Sequence, residues 1–407
     1  MVSPMSLDPD PKLGPKLLRD WIADAAQRAP EKPWIVCADD GRTVSYRELR
    51  DVAGRVATFL RDHGIGTNDR VALLADNSIE HLLCYFGVMA YGAAICTVHV
   101  EMNRNQLDDI FARLAPSLVL HQDGLGLDDL LAAISAPHMR LGRWDKPDHG
   151  TFFAEVARRA PSGAQTTAGA DDDAVILFTS GTSAQPKGVV LNYREHLANI
   201  DPAADGFGIT VDDRVYDFRS FNWASAQLLG ALVPVNRGAT LVMAAKFSAS
   251  RFFRHVRDHG VTVAAGNPTT INILLNTETT AHRDNLPTLR FLTSSSAPLT
   301  LEEWRRFEER FGIPIAQGYG SSETGWIAAV PGEDIGLHGG PEGDHLVWIQ
   351  FGMRHAAEEF ADFLPHIRDS RRTPNEDDIV NLFRGHARIA ESCATFRERS
   401  IHIFGNL

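Results

Sequence analysis

The chain is constrained most by an alternation of short apolar runs with segments of helical spacing, present from residue 46 to 120 and again after residue 170. Leu49, Val52, Val56, Phe59 and Leu60 fall on one helical face behind Ser45-x-x-Glu48. That is the pattern of a capping box, in which serine and glutamate satisfy each other's backbone amides. Residues 70–75 then read as a buried strand, followed by a helix around Leu82, Leu83 and Phe86. A strand at 94–98 comes after Gly92, then a helix through Leu107, Ile110 and Phe111, then a strand at 117–120. The pattern resumes with strands at 175–178, 241–244, 262–265 and 289–293, and a helix near His196. Runs that are apolar throughout are buried on both faces, and parallel neighbours need a crossover helix between them. The reading is therefore α/β: two parallel-sheet subdomains with flanking helices, about 16–165 and 166–330. A loose arm rich in Pro, Asp and Lys precedes them at 1–15, with a first helix at 17–28. Residues 34–37 and 42–45 read as a hairpin around Asp39-Asp40-Gly41, and residues 140–170 as a connection.

Composition removes several classes of function. The 407 residues carry a formal charge of -12, which repels phosphate backbones and argues against nucleic acid as a partner. Apolar residues at 44% and charged residues at 23% are the balance of a globular chain. None of Cys37, Cys84, Cys96 and Cys393 forms a C-x-x-C pair, and those in apolar stretches read as buried thiols. The longest apolar stretch, 82–98, is interrupted by Tyr, Cys and Gly and falls short of the ~20 residues a membrane span needs. No apolar leader follows the first charges, so a cytoplasmic protein is expected. Gly124-x-Gly126 follows a strand, but Asp129 stands at the third glycine position, which argues against a dinucleotide fingerprint.

Residues 175–190 carry the chemistry. A strand runs into Thr179, Ser180, Gly181, Thr182 and Ser183, and Pro186, Lys187 and Gly188 follow. Short hydroxyls and a glycine expose backbone N–H donors, and the lysine adds a point charge, so the segment suits a polyphosphate. It is not a Walker A loop, whose G-x-x-x-x-G-K-[ST] spacing is absent. This segment resembles the phosphate loop of the ANL superfamily of adenylate-forming enzymes, which includes acyl-CoA synthetases, adenylation domains and luciferases. Ser183-Ala184 stands where that family has Thr-Gly. Two further stretches resemble the family in the expected order. Residues 289–299 are similar to its strand and G-G-A-P loop beside the adenine, with Ser295 and Ser296 in place of the glycines before Ala297 and Pro298. Gln317 to Glu323 resembles its Y-G-x-T-E motif, with Ser322 at the threonine position.

The resemblance implies ATP-dependent activation of a small-molecule carboxylic acid. The carboxylate attacks the α-phosphorus of MgATP to give an acyl-adenylate, and a thiol, usually that of CoA, then takes the acyl group. It assigns catalysis to Lys187, Thr182 and Glu323, with Glu323 as the Mg²⁺ ligand. ATP falls to Thr179, Ser180, Gly181, Thr182, Ser183 and Lys187, to Ser295, Ser296, Ala297 and Pro298, and to Gly318, Tyr319, Gly320, Ser321 and Ser322. Tyr319 would stack on the adenine. Trp223, beside Phe221-Asn222, together with Asn267 and Ser294, is assigned to the acid, with ordinary core packing an equal reading for Trp223. A non-catalytic binder of ATP or acyl-adenylate, and an adenylation domain that loads a carrier protein, stand as alternatives.

The family pattern is followed over about 15–330 and stops after Pro331, without the T-G-D aspartate or the C-terminal lysine. The tail instead has helical spacing at 354–369 and 376–391, and six of the sixteen histidines lie beyond residue 337. It reads as the frame-shifted or rearranged end of a synthetase gene, with a genuine helical replacement as the alternative.

Overall fold

In the computed structural model, which describes residues 14–179, 187–322, 325–330 and 347–348, helices and strands alternate as expected. Ser45 caps helix Tyr46–Asp62, its hydroxyl accepting from the Glu48 amide at 3.2 Å while the Ser45 amide donates to the Glu48 carboxylate at 2.7 Å. Its apolar stripe packs on helix Ile79–Tyr91, every residue of which is buried. A helix buried all round has no solvent face and forms an interior layer.

The strands, in chain order, are β1 (Pro33–Cys37), β2 (Thr43–Ser45), β3 (Arg70–Leu74), β4 (Ala94–Val98), β5 (Leu118–His121), β6 (His138–Arg140), β7 (Asp173–Thr179) and β8 (Lys187–Asn192). They continue as β9 (Arg214–Asp217), β10 (Thr240–Met243), β11 (Val263–Ala264), β12 (Phe291–Ser294), β13 (Ile315–Ser321), β14 (Gly325–Val330) and β15 (Val347–Trp348). Two mixed sheets form, one ordered β6-β5-β3-β4-β7-β8 and the other β15-β14-β13-β12-β11-β9-β10-β1-β2. Their centres are parallel, whereas β2, β8, β14 and β15 pair antiparallel at the edges.

Side chains alternate across each sheet with period two. Val71 and Leu73 enter a core shared between the sheets, and Ala72 and Leu74 enter the outer core under helix Arg104–Leu114. Val215, Leu241 and Phe291 likewise face the shared core, while Tyr216, Val242 and Leu292 face helices Ala249–Asp258, Pro268–Leu275 and Leu301–Phe311. Each sheet is therefore covered on both faces.

The structure departs from the sequence expectation in several places. The sheets interleave across the boundary expected near residue 165: β1 and β2 join the later strands, and β7 and β8 join the earlier ones. Strand β9 was not anticipated, because Arg-Val-Tyr-Asp has too few apolar residues to stand out. The stretch 140–170 is not only a connection, since it contains helix Phe152–Ala157. The first helix begins at Pro15, inside the arm expected at 1–15. Cys37, Cys84 and Cys96 are buried, and burial pushes the thiols of Cys84 and Cys96 up. Cys393 and the tail segments 354–369 and 376–391 lie outside the described residues.

Candidate functional site

A cavity of about 540 Å³ opens where the carboxyl ends of strands from both sheets converge. His99, Glu101 and Met102 follow β4, and Leu177 and Phe178 end β7. Ser295 and Ser296 follow β12, and the β13–β14 turn contributes Gly320, Ser321, Ser322, Gly325 and Trp326. The wall after β9 supplies Asn222, Trp223, Ala224, Ser225 and Leu228. Ligand sites in open α/β sheets form in the crevice outside the carboxyl ends of the strands.

The wall after β9 is stitched to the other sheet. Asn77 donates from Nδ2 to the Arg219 carbonyl at 2.8 Å, and its Oδ1 accepts from the Phe221 amide at 2.9 Å. Asn222 donates from Nδ2 to the Ala75 carbonyl at 3.0 Å. Beneath this wall Arg219 and Asp217 form a buried ion pair at 2.7 Å. The Arg219 guanidinium also reaches Ser295 Oγ at 3.3 Å and the Ser225 carbonyl at 3.2 Å, so one cation links two lining segments. The wall continues as a single π-helical segment, Gln227–Leu232, a rare form often found at functional sites.

Trp223 is 53% exposed at the cavity mouth, with its ring centroid 6.4 Å from that of His99. That decides against core packing for this residue. Glu101, also at the mouth, forms an ion pair with Lys246 at 3.1 Å, and that bond holds its carboxyl below the usual range.

The opposite wall is the β13–β14 hairpin. A Cβ on Gly318 would lie 2.3 Å from the Trp326 indole, so only glycine lets that ring lie against β13. Asn199 grips the Trp326 backbone through both amide atoms, donating to its carbonyl at 2.6 Å and accepting from its amide at 2.8 Å. Gly325 turns the chain into this grip at φ 67°, where a side chain would be strained. Ser296 adopts φ 71° without being glycine, a local cost of roughly 1–2 kcal/mol.

The cavity brings together Ser295, Ser296, Gly320, Ser321, Ser322 and Trp223 of the expected residues. Thr179 and Lys187 are the last register pair of the β7–β8 hairpin, and Lys187 is exposed. Ser180, Gly181, Thr182, Ser183 and Glu323 lie outside the described residues. Gly318 and Tyr319 do not line the cavity, and Tyr319 is half-buried on β13. Ala297 and Pro298 are exposed and lie outside the lining.

Two of the residues assigned to the acid are placed otherwise. Asn267 is a helix cap, its Oδ1 accepting from the Thr270 amide at 2.8 Å and hydroxyl at 3.0 Å. Ser294 ends β12 fully buried, one residue short of the cavity. Sequence reasoning missed His99, Glu101, Met102, Gln106, Leu228 and Trp326, all of which line the cavity. His99 to Met102 follow a strand end directly, and that position was the available signal. Trp326 and Leu228 carried none, because they reach the cavity only through the hairpin and the π-helical turn. Among the described residues no group of three His, Cys, Asp or Glu is placed to hold a metal, and no helix is long and apolar enough to cross a membrane.

Comparison with known proteins agrees with this architecture. Residues 22–343 match the family model described as AMP-binding enzyme. Residues 323–404, almost all outside the described ones, match a second model described as NAD-specific glutamate dehydrogenase. A sulfoacetate–CoA ligase of Cupriavidus necator is 28% identical over 316 residues, covering 74% of this chain and 59% of that protein. A crotonobetaine/carnitine–CoA ligase of Salmonella paratyphi A is 28% identical over 376 residues, covering 89% of this chain and 69% of that protein. The crystal structure of apo MatB from Rhodopseudomonas palustris superposes with a TM-score of 0.70 at 25% identity, covering 78% of this chain and 62% of that one. The chain thus spans 59% to 69% of the length of these relatives. With a family model matching most of its length and the same α/β architecture in a solved relative, the chain belongs to the AMP-binding enzyme family.

Proposed function

We propose that this chain binds ATP and activates a carboxylic acid as an acyl-adenylate, the first half of an acid–CoA ligase reaction. The observation that carries this reading is the convergence at one cavity of three segments matched in sequence: the end of β7, Ser295–Ser296 and Gly320–Ser322. In this reading a carboxylate oxygen attacks the α-phosphorus of ATP. The bond to the bridging oxygen breaks, pyrophosphate leaves, and the thiol of CoA later displaces AMP from the acyl carbon. Such chemistry needs positioning and charge neutralisation more than a protein nucleophile. Lys187, exposed at the base of the β7–β8 hairpin, and the hydroxyls and amides of Thr179 to Ser183 take the β- and γ-phosphates. Glu323 would hold a Mg²⁺ bound with ATP, and that ion would supply charge neutralisation at the phosphates. Ser295, Ser296 and Gly320 to Ser322 border the adenine, with Tyr319 beside them. The acid occupies the end lined by Trp223, His99, Met102 and Leu228.

We divide the chain at about residue 330, with the AMP-binding part before it and an atypical tail after. The change from one matching family model to another between residues 323 and 343 supports this division. A reaction supplied with ATP and CoA belongs in the cytoplasm.

Acid-dependent exchange of pyrophosphate into ATP tests the reading, using short, medium and aromatic acids. Exchange with one class, lost in Lys187→Ala, is the expected result. No exchange with any acid would remove the activity. ATP binding that still depended on Lys187 and Tyr319 would then leave a non-catalytic binder.

A further inference from the structure

A buried chain of hydrogen bonds runs behind the Trp223 wall without touching the cavity. Gln227 is fully buried, and its Nε2 donates to the Phe221 carbonyl at 2.8 Å and to Thr97 Oγ1 at 3.0 Å. A carbonyl only accepts, so the nitrogen end of the amide must face Phe221. The amide oxygen then faces the Tyr85 hydroxyl at 3.3 Å, and Tyr85 must donate to it. That leaves the Tyr85 oxygen to accept from His196 Nε2 at 2.7 Å, which places the imidazole proton on Nε2. The Nδ1 atom of His196 has no partner among the described residues. Burial pushes the His196 pKa down to about 3, so the ring is neutral. Every donor in the chain points one way, from His196 through Tyr85 to Gln227.

The two bonds from Gln227 have matching consequences. Phe221 stands two residues before Trp223, and Thr97 stands two residues before His99. One amide therefore ties the backbone carbonyl of Phe221 to the side-chain hydroxyl of Thr97, and so links the two segments that present the rings facing each other at the cavity mouth, 6.4 Å apart between centroids. The rings belong to different sheets, Thr97 lying in the six-stranded sheet and Phe221 following β9 of the nine-stranded one.

We propose that Gln227 is a positioning residue that sets the gap between Trp223 and His99, with Tyr85 and His196 orienting its amide. The acid's access is thereby fixed by residues that never touch it. The consequence for the acid rests on the cavity being the site of acid activation, whereas the positioning of the rings does not.

Two mild variants test the chain, each made in protein labelled with 5-fluorotryptophan. Tyr85→Phe deletes the donor to Gln227, and Thr97→Val deletes one acceptor at nearly constant volume. The fluorine signal of Trp223 is identified by its loss in Trp223→Phe, and that of Trp304, packed on the outer face of the nine-stranded sheet, is the reference. The Trp223 signal should shift or split in both variants while Trp304 holds. The KM for the acid in pyrophosphate exchange should rise about five-fold or more with the Kd for ATP within about two-fold. An unmoved Trp223 signal in both folded variants overturns the positioning. So does a loss of ATP affinity in step with the acid KM, which is general loosening. If the parent protein shows no exchange yet the Trp223 signal moves, the positioning stands and the functional reading falls.

Discussion

Replacing Asp217 by alanine should be among the most damaging single changes in the described part of the protein. The Asp217 side chain is 0% exposed and that of Arg219 is 5% exposed. The carboxylate receives the Arg219 amide at 2.9 Å, Nε at 3.0 Å and Nη2 at 2.7 Å. Gly230 of the π-helical turn presses on it from the other side, since a Cβ there would lie 2.5 Å from Asp217 Oδ2. Removing the carboxylate leaves a buried guanidinium whose remaining acceptors among the described residues are Ser295 Oγ and the Ser225 carbonyl. Breaking one half of such a pair costs about 3–5 kcal/mol, because the surviving buried charge has lost its counter-charge. The double variant Asp217→Leu with Arg219→Met removes the charge as well and should recover to within about 1 kcal/mol of the parent. Urea unfolding followed in parallel by far-UV circular dichroism and tryptophan emission measures both. With a slope of roughly 3 kcal/mol per molar urea, the single variant should lower the midpoint by about 1–1.7 M. A single-variant shift below about 0.3 M, or a double variant as unstable as the single, would refute the argument.

Two further outcomes follow from buried groups and close contacts. His81 and His196 are fully buried, and desolvation lowers their pKa values to about 4 and about 3. Above the ordinary histidine value neither folded nor unfolded chain holds the extra proton, so stability is flat. As pH falls from about 6.5 toward 4 the unfolded chain takes up protons that the folded one refuses, and stability declines by a little over 1 kcal/mol per pH unit for each ring. Urea midpoints at pH 7, 6 and 5 should therefore fall progressively, and a level profile would contradict the burial of these rings. Gly318→Ala drives a methyl to 2.3 Å from the Trp326 ring. The overpacking should cost about 1–3 kcal/mol and displace the indole, read as a shift in its emission, and an unchanged spectrum and midpoint would show that the hairpin can yield.

The candidate segments could be picked out in sequence because their patterns are local. Thr179 to Lys187 and Ser295–Ser296 each follow an apolar run read as a buried strand, whereas Gly320–Ser322 was marked by its residue pattern alone. The structure puts the described members of all three at one cavity or at its edge. The capping box at Ser45 was equally local and forms as read.

Where a segment joins a sheet was not legible. Asn267, read as a wall of the acid site, bonds its own helix start instead, because an asparagine before a helix satisfies orphan amides as readily as it meets a ligand. Ser294 fell one residue short, since period-two alternation turns successive side chains to opposite faces and only the next residue emerged from the sheet.

The sequence by itself determined the fold class, the alternation of helices and strands over 46–120, and the hydroxyl- and glycine-rich segments suited to phosphate. Tertiary structure decided the interleaving of the two sheets, the Asp217–Arg219 pair, and the amide of Gln227 that sets Trp223 opposite His99. The reason is one of range. Periodicity and capping act over a few residues, whereas Gln227 and Thr97 are 130 positions apart and meet only when two sheets close on a common core.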